Sequence, residues 1–233
     1  ANPLGQRMRV QRSADRGATW GAPITIAEYF GVGTVDPETF AALRDATGLA
    51  SISVGKDGRV HVVWQDARFG LGGYDGIAYS VSSDAGLTWS VPVRVNARAD
   101  VPALIPTVHV RADGVIGVSY YDFRENTSDS KTLPTVYRLA VSADGVNWRE
   151  SEINAAFEMR SAPVARGYFL GDYQGLSSNG SAFSALYART VAGGNAATNA
   201  TEIVFANVAD GSLKRQQETY RAGVTPDSFV VTP

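Results

Sequence analysis

Apolar residues fall in short runs closed off by Gly, Asp and Asn, and the runs come in pairs. Asp57-Gly58, Asp113-Gly114 and Asn179-Gly180 are two-residue turn pairs of the kind that join antiparallel strands. Each leads into an apolar run: Val60 to Asp66, Val115 to Asp122, and Ala182 to Tyr187. A variable loop then leads to another run, Ile77 to Val81, Val136 to Val141 and Glu202 to Ala206, and Val91 to Val95 supplies a fourth in the first module. The pattern predicts modules of four antiparallel strands, A to D, with the Asp-Gly turn between A and B.

A second turn recurs between strands C and D. Ser13-Ala14-Asp15-Arg16-Gly17-Ala18-Thr19-Trp20 returns as Ser82-Ser83-Asp84-Ala85-Gly86-Leu87-Thr88-Trp89, and one residue shorter as Ser142-Ala143-Asp144-Gly145-Val146-Asn147-Trp148. Val208-Ala209-Asp210-Gly211 is a worn fourth copy without the Trp. An Asp side chain accepts bonds from nearby backbone N–H groups, Gly permits positive φ, and Trp covers apolar surface beside the turn. Four-stranded modules repeated with almost no helix predict an all-β fold, a β-propeller. One helix is expected, from Asp36-Pro37-Glu38 through Ala46, with Asp as cap, Pro at the first position, Phe40 and Leu43 on one face and Gly48 at the end.

Composition removes several function classes. Of 233 residues 44% are hydrophobic and 19% charged, and the formal charge of -2 favours neither nucleic acid nor an anionic membrane surface. No window approaches the roughly 18 apolar residues of a membrane span, and the N-terminus has no signal-like pattern, so the chain reads as mature and soluble. With no Cys and only His61 and His109, a disulfide scaffold, a thiolate metal site and a serine-type triad have few or no members to draw on. No cofactor is expected. Asp66, Asp75 and Asp122 are calcium candidates by residue type, without regular metal-loop spacing.

The Ser-x-Asp-x-Gly-x-Thr-Trp turns resemble the Asp-box, or bacterial neuraminidase repeat, of sialidase-type propellers, over roughly residues 10 to 210. The run from Ala162 to Gly175 also resembles a segment of bacterial sialidase-like proteins. The resemblance implies a secreted bacterial propeller that acts on or binds acidic glycans, as a glycoside hydrolase or as a non-catalytic protein- or glycan-binding platform. Such propellers have six blades. Here residues 5–28 supply the last two strands of one blade, and fuller blades are expected at 48–98, 103–155 and 168–220, so a single partial propeller of about three and a half blades is predicted. Open sheet edges call for further blades, a partner chain, or closure by the termini, with Ser228 to Thr232 as the available tail.

In such a blade the Ser-x-Asp turns lie opposite the face carrying the B–C loops and the D–A connections, and ligands use the variable, loop-rich face. Aligning the modules places Asp66 with Asp122 and Arg68 with Arg124 at the ends of consecutive B strands, and the third module has Arg189 there. Repeated Asp-x-Arg pairs can offer guanidinium forks to a sugar carboxylate. A local bridge anchoring its own loop uses the same residues. The D–A connections add Arg44, Asp45, Glu158, Arg160, Arg166, Asp172 and Tyr173. The sialidase resemblance implies an arginine triad, a tyrosine nucleophile activated by a glutamate and an aspartate acid/base. By type, Arg68, Arg124 and Arg166 or Arg189 fill the triad, Tyr121 or Tyr173 the nucleophile, and Asp66 or Asp122 the acid, with Asp172 a further carboxylate at the axis. The Phe/Tyr-Arg-Ile-Pro motif that carries the first sialidase arginine is absent.

Overall fold

The computed structural model describes residues 6–70, 73–195, 198, 200–209 and 212–220, in which the apolar runs become fifteen strands in four antiparallel sheets. β1 (Gln6–Val10) pairs with β2 (Ile24–Tyr29). The second sheet is β3 (Ala50–Val54), β4 (Val60–Asp66), β5 (Gly76–Ser82) and the short β6 (Val93–Arg94). The third is β7 (Ala103–Val110), β8 (Ile116–Asp122), β9 (Pro134–Ser142) and β10 (Arg149–Glu152), with β11 (Phe157–Glu158) also on β9. The fourth is β12 (Gly175–Asn179), β13 (Ala182–Thr190), β14 (Thr201–Ala209) and β15 (Ser212–Tyr220). Within each full sheet the strands follow chain order, as blades of a propeller do.

The B and C strands read as near-continuous apolar runs because sheets cover both of their faces. Val62, Trp64 and Ala78 pack towards Met8 and Ile26 of the first sheet, while Val63, Ile77 and Tyr79 pack towards Val108, Val118 and Tyr120 of the third. Close approach has a glycine where it is needed: a Cβ on Gly117 would lie 2.4 Å from the Phe183 ring, which seats the fourth sheet on the third. At the axis the innermost strands β3, β7 and β12 are joined by side chains. Ser51 and Ser53 Oγ accept from Val108 N and Val110 N at 3.1 Å each, Thr107 Oγ1 donates to Gln174 O at 3.1 Å, and His109 meets Ser178 at 2.9 Å. The result is a partial propeller. β1 has β2 as its only strand partner among the described residues.

Two local expectations are corrected. Residues 36–46 form no helix: Phe40 takes φ +58°, and the Asp36 side chain, expected as a helix cap, accepts from Glu38 N and Thr39 N in a single tight turn closed by a Val35–Ala42 bridge. The stripe of Phe40 and Leu43 gains nothing, since Phe40 is 78% exposed. The first two A–B turns are three-residue loops, with Gly58 and Gly114 at φ +80° and +87°, rather than two-residue ones. The third is a two-residue turn shifted by one, Gly180-Ser181 between paired Asn179 and Ala182. No helix among the described residues is long and apolar enough to cross a membrane. Residues 210–211 of the fourth Ser-x-Asp turn and the 228–232 tail lie outside the described residues.

Candidate functional site

The C–D turns are closed units. Ser13 Oγ donates to Asp15 Oδ1 at 2.7 Å and accepts from Gly17 N, while Asp15 accepts from Thr19 N at 2.8 Å and Thr19 Oγ1 at 2.6 Å. Asp84 repeats every bond with Ser82, Gly86 and Thr88, and Asp144 does so with Ser142, Gly145 and Asn147, whose amide replaces the threonine hydroxyl. Each carboxylate is thereby held ionised, Asp15 at about 2, chiefly by its Thr19 bonds, and Asp84 and Asp144 lower still. Each Ser–Asp pair is thus engaged within its own turn.

The ends of the B strands are equally self-contained. Asp66 is fully buried and accepts from Trp64 Nε1 at 2.8 Å and Arg68 N at 2.9 Å, with the Arg68 guanidinium 3.0 Å away. Arg68 continues to Glu28 O and the Phe30 ring on the first sheet. Asp122 accepts from Arg124 at 2.6 Å and Arg138 at 2.8 Å; Arg124 goes on to Glu150 at 2.9 Å, and Arg138 to Glu125 and Glu152 at 3.2 Å each. Burial pushes the Asp122 carboxyl up against the pull of these two guanidiniums. Arg68 and Arg124 thus share no partner and reach different strands. Arg189 pairs across the sheet with Glu202 at 2.7 Å. All four residues of the repeated pairs, and Arg189, serve as local anchors.

Tyr121 is a core residue: it is fully buried, its ring lies tilted against Tyr137 with centroids 4.5 Å apart, and it donates to Ala188 O at 2.7 Å. Burial drives its phenol far up, which opposes the ionisation a nucleophile needs. Arg166 is an exposed residue at φ +66° in the turn before Gly167. A Cβ on Gly167 would lie 2.5 Å from Ala42 O, so the 163–168 turn presses on residues 42–44. Asp66, Asp75 and Asp122 are not brought together, and among the described residues no group of three or more His, Asp or Glu could hold a metal ion.

Asp172 and Tyr173 are the predicted residues that do meet, in a cleft of about 240 Å³ at the start of the innermost strands. Its walls are Ala46, Leu49, Ala50, Ser51 and Ile52 on one side and Pro106, Thr107 and Gln174 on the other. Arg44 grips Asp172 with Nε at 3.2 Å and Nη2 at 2.7 Å, and its guanidinium lies 4.2 Å from the centre of the Phe169 ring. The pair is 128 residues apart in sequence. Tyr173 is 73% exposed on the rim. Behind the cleft, buried Gln65 accepts from Ala46 N at 3.0 Å and Ile105 N at 2.9 Å and donates to Asp45 at 3.1 Å. Asp75, also buried, accepts from Val32 N and Gly33 N at 3.1 Å each; burial raises its carboxyl more than these bonds lower it. A second long-range pair, Arg160 on Asp36 at 2.7 Å, ties the 159–161 turn to the 36–42 turn.

In the sequence Arg44 is one charged loop residue among several, and no pattern singles out Gln65, Thr107 or Ile105. Ile105 has φ +54°, a conformation that costs a β-branched residue about 1–3 kcal/mol. It sits in a bulge where Ile105 and Pro106 together oppose Tyr120. The only sequence signal was Pro106 inside an apolar strand.

The site therefore belongs to a partial all-β propeller with a cleft at the axial mouth of its loop-rich face. No protein-family model matches the chain, and no curated protein does. Solved structures do share the fold. An α-L-arabinofuranosidase of Fusarium graminearum, in complex with an iminosugar inhibitor, aligns at 14% identity and TM-score 0.53 over 94% of this chain and 60% of its own. An ulvan lyase bound to a GlcA(1-4)Rha3S fragment aligns at 12% and 0.56, over 91% and 49%. A Hadza microbial sialidase aligns at 13% and 0.51, over 91% and 42%. The chain spans about three fifths or less of the length of these carbohydrate-active propellers.

Proposed function

We propose that the chain is part of a secreted, bacterial, sialidase-like propeller that binds acidic glycans in the 46–52, 106–107 and 172–174 cleft. The observation that carries this reading is Tyr173, a largely exposed ring on the rim of that cleft, beside a carboxylate fixed in direction by Arg44. A sugar presents an apolar C–H face and a ring of hydroxyls, and a concave site with an aromatic plane, apolar walls and a few oriented polar groups meets both. Arg166 carries an exposed positive charge on the 163–168 turn, which presses on residues 42–44, and Arg44 balances Asp172; the charge at Arg166 favours a uronate or sialate over a neutral sugar. The three Ser-x-Asp turns support the sialidase-like assignment, and the named neighbours support glycans as ligands.

Hydrolysis by the sialidase route needs a tyrosine nucleophile with its activating glutamate and an aspartate acid/base around one sugar. Against catalysis by these residues alone, Arg68, Arg124 and Arg189 are consumed by Asp66, Asp122 and Glu202. That engagement favours a second reading, a non-catalytic glycan-binding platform. Calorimetric titration with N-acetylneuraminic acid, glucuronic acid and arabinobiose tests the first reading. Binding of the acidic sugars, lost in Tyr173→Ala, is expected; no binding of any of the three overturns it. Release of a chromophore from an aryl sialoside by the full-length protein separates enzyme from platform.

A further inference from the structure

The cleft has two walls from different parts of the chain, and one side chain behind them touches both. Gln65, on β4, is fully buried and lines no part of the cleft. Its Oε1 accepts from Ala46 N, in the wall that leads into β3, and from Ile105 N, the residue before the Pro106-Thr107 wall. Its Nε2 donates to Asp45 Oδ2 at 3.1 Å, with Thr47 Oγ1 and Asp75 Oδ2 each 3.5 Å away. Both lone pairs of one amide oxygen are thus spent on backbone donors forty residues and nineteen residues distant.

The second observation is independent of the hydrogen bonds. Ile105 is held at φ +54°, where an isoleucine is strained, although nothing in its side-chain role requires it: it is buried among apolar neighbours as any strand residue would be. The consequence falls on the next two residues, because the bulge is where β7 leaves its register with β8 and where Pro106 and Thr107 come to line the cleft. Thr107 Oγ1 then donates to Gln174 O within the same wall. Local strain persists where surrounding contacts over-determine it, and it concentrates at ligand sites.

We propose that Gln65 is the positioning residue of this cleft, setting the distance between its walls and holding Ile105 in the left-handed conformation that turns Pro106 and Thr107 into it. The inference rests on the reading of the cleft as a glycan site, which it deepens. Gln65→Glu still offers an acceptor oxygen to both amides but sets its second carboxylate oxygen against Asp45, and the repulsion pushes the side chain away from Ala46 N and Ile105 N. The titratable groups facing it are Asp45 and Asp75; the Tyr29 phenol on the first sheet, raised by burial first and then by Asp66 and Asp75, is coupled to it only through Asp75. Repulsion is relieved once a proton returns between the carboxylates.

The test is Gln65→Glu at two pH values beside the natural protein. Glycan affinity is expected to fall about tenfold at pH 8 and to return to within about twofold of the natural protein at pH 5, a recovery that simple destabilisation does not produce. A folded Gln65→Glu protein that binds within twofold at pH 8, or that stays equally weak at both pH values, overturns the proposal. Amide exchange at Ala46 and Ile105 decides the positioning claim even where the natural protein binds no glycan. Protection factors of both amides that fall below those of the natural protein at pH 8 but match them at pH 5 support the clamp, and matching protection at both pH values removes it. Thr107→Val, which deletes the tether to Gln174 and one hydroxyl of the cleft wall, serves where Gln65→Glu does not fold. It is expected to weaken binding about threefold with melting unchanged, and full affinity in that variant overturns the account of the bulge.

Discussion

The two ends of each blade use the same residue types in opposite ways. At the turn end, Asp15, Asp84 and Asp144 bond within five residues of themselves, three times over, with nearly the same distances. At the loop end, Arg44 finds Asp172 and Arg160 finds Asp36 across more than a hundred residues, and among the described residues neither pair has a counterpart in another blade. Repetition marks what every blade needs in order to fold, and the unrepeated contacts mark what shapes the single cleft. The B-strand ends fall between the two: they lie at the loop end, yet they repeat, and the structure spends them as anchors.

That placement gives the largest expected effect. Asp122→Ala leaves Arg138, 4% exposed, without its main partner and strips Arg124 of one of two. Loss of one member of such a buried cluster costs about 3–5 kcal/mol, read by denaturant unfolding. Sugar affinity of the protein that remains folded should not change. A variant with unaltered stability and lost affinity would move Asp122 from anchor to site and break the comparison.

Trp89→Ala comes next. The ring is half-buried against Met8, Val62, Trp64 and Ala78, so its removal should cost about 2 kcal/mol of stability, with binding intact. Tyr173→Ala should do the reverse. Its ring is largely exposed, so melting should stay within a degree or so while affinity for the acidic sugar falls about tenfold, or about 1.4 kcal/mol. Equal loss of both quantities in either variant would erase the division between the two ends.

The same division explains what the sequence disclosed. The strand cores were legible, β4 to the residue, because a run buried on both faces and closed by Gly turns has few other ways to fold. The three Ser-x-Asp turns were legible because all of their bonds are local. The 36–46 segment was misread as a helix because capping and spacing are local signals, whereas its conformation is set by Arg160 on Asp36 and by the Tyr168 backbone on Ala42 and Arg44. Asp66-Ala67-Arg68 and Asp122-Phe123-Arg124 were visible as a repeat, but whether a repeated ion pair faces a ligand or its own loop depends on where Glu28 and Glu150 sit in space. Gln65 left no trace, since a glutamine in an apolar strand carries no pattern until both of its backbone partners are placed.

Acid separates the two ends most gently and by sign. Asp15 has a folded pKa of about 2, below the ordinary value near 4, and Asp84 and Asp144 lie lower, so the stabilisation from these turns is fully present above about pH 4 and fades as pH falls through the folded values. The groups are exposed, and salt and water screen part of the effect. Asp75 behaves oppositely. Burial raises its carboxyl, so the folded protein binds that proton more tightly than the unfolded chain does, and its favourable contribution, complete below about pH 4, declines as pH rises through the folded value. Lowering the pH from neutrality should therefore tighten the 32–47 connection first and loosen the C–D turns only afterwards. Carboxyl chemical shifts followed by NMR check the order directly: Asp75 should titrate above all three turn aspartates, and an Asp75 midpoint below that of Asp15 would show that its backbone bonds outweigh its burial.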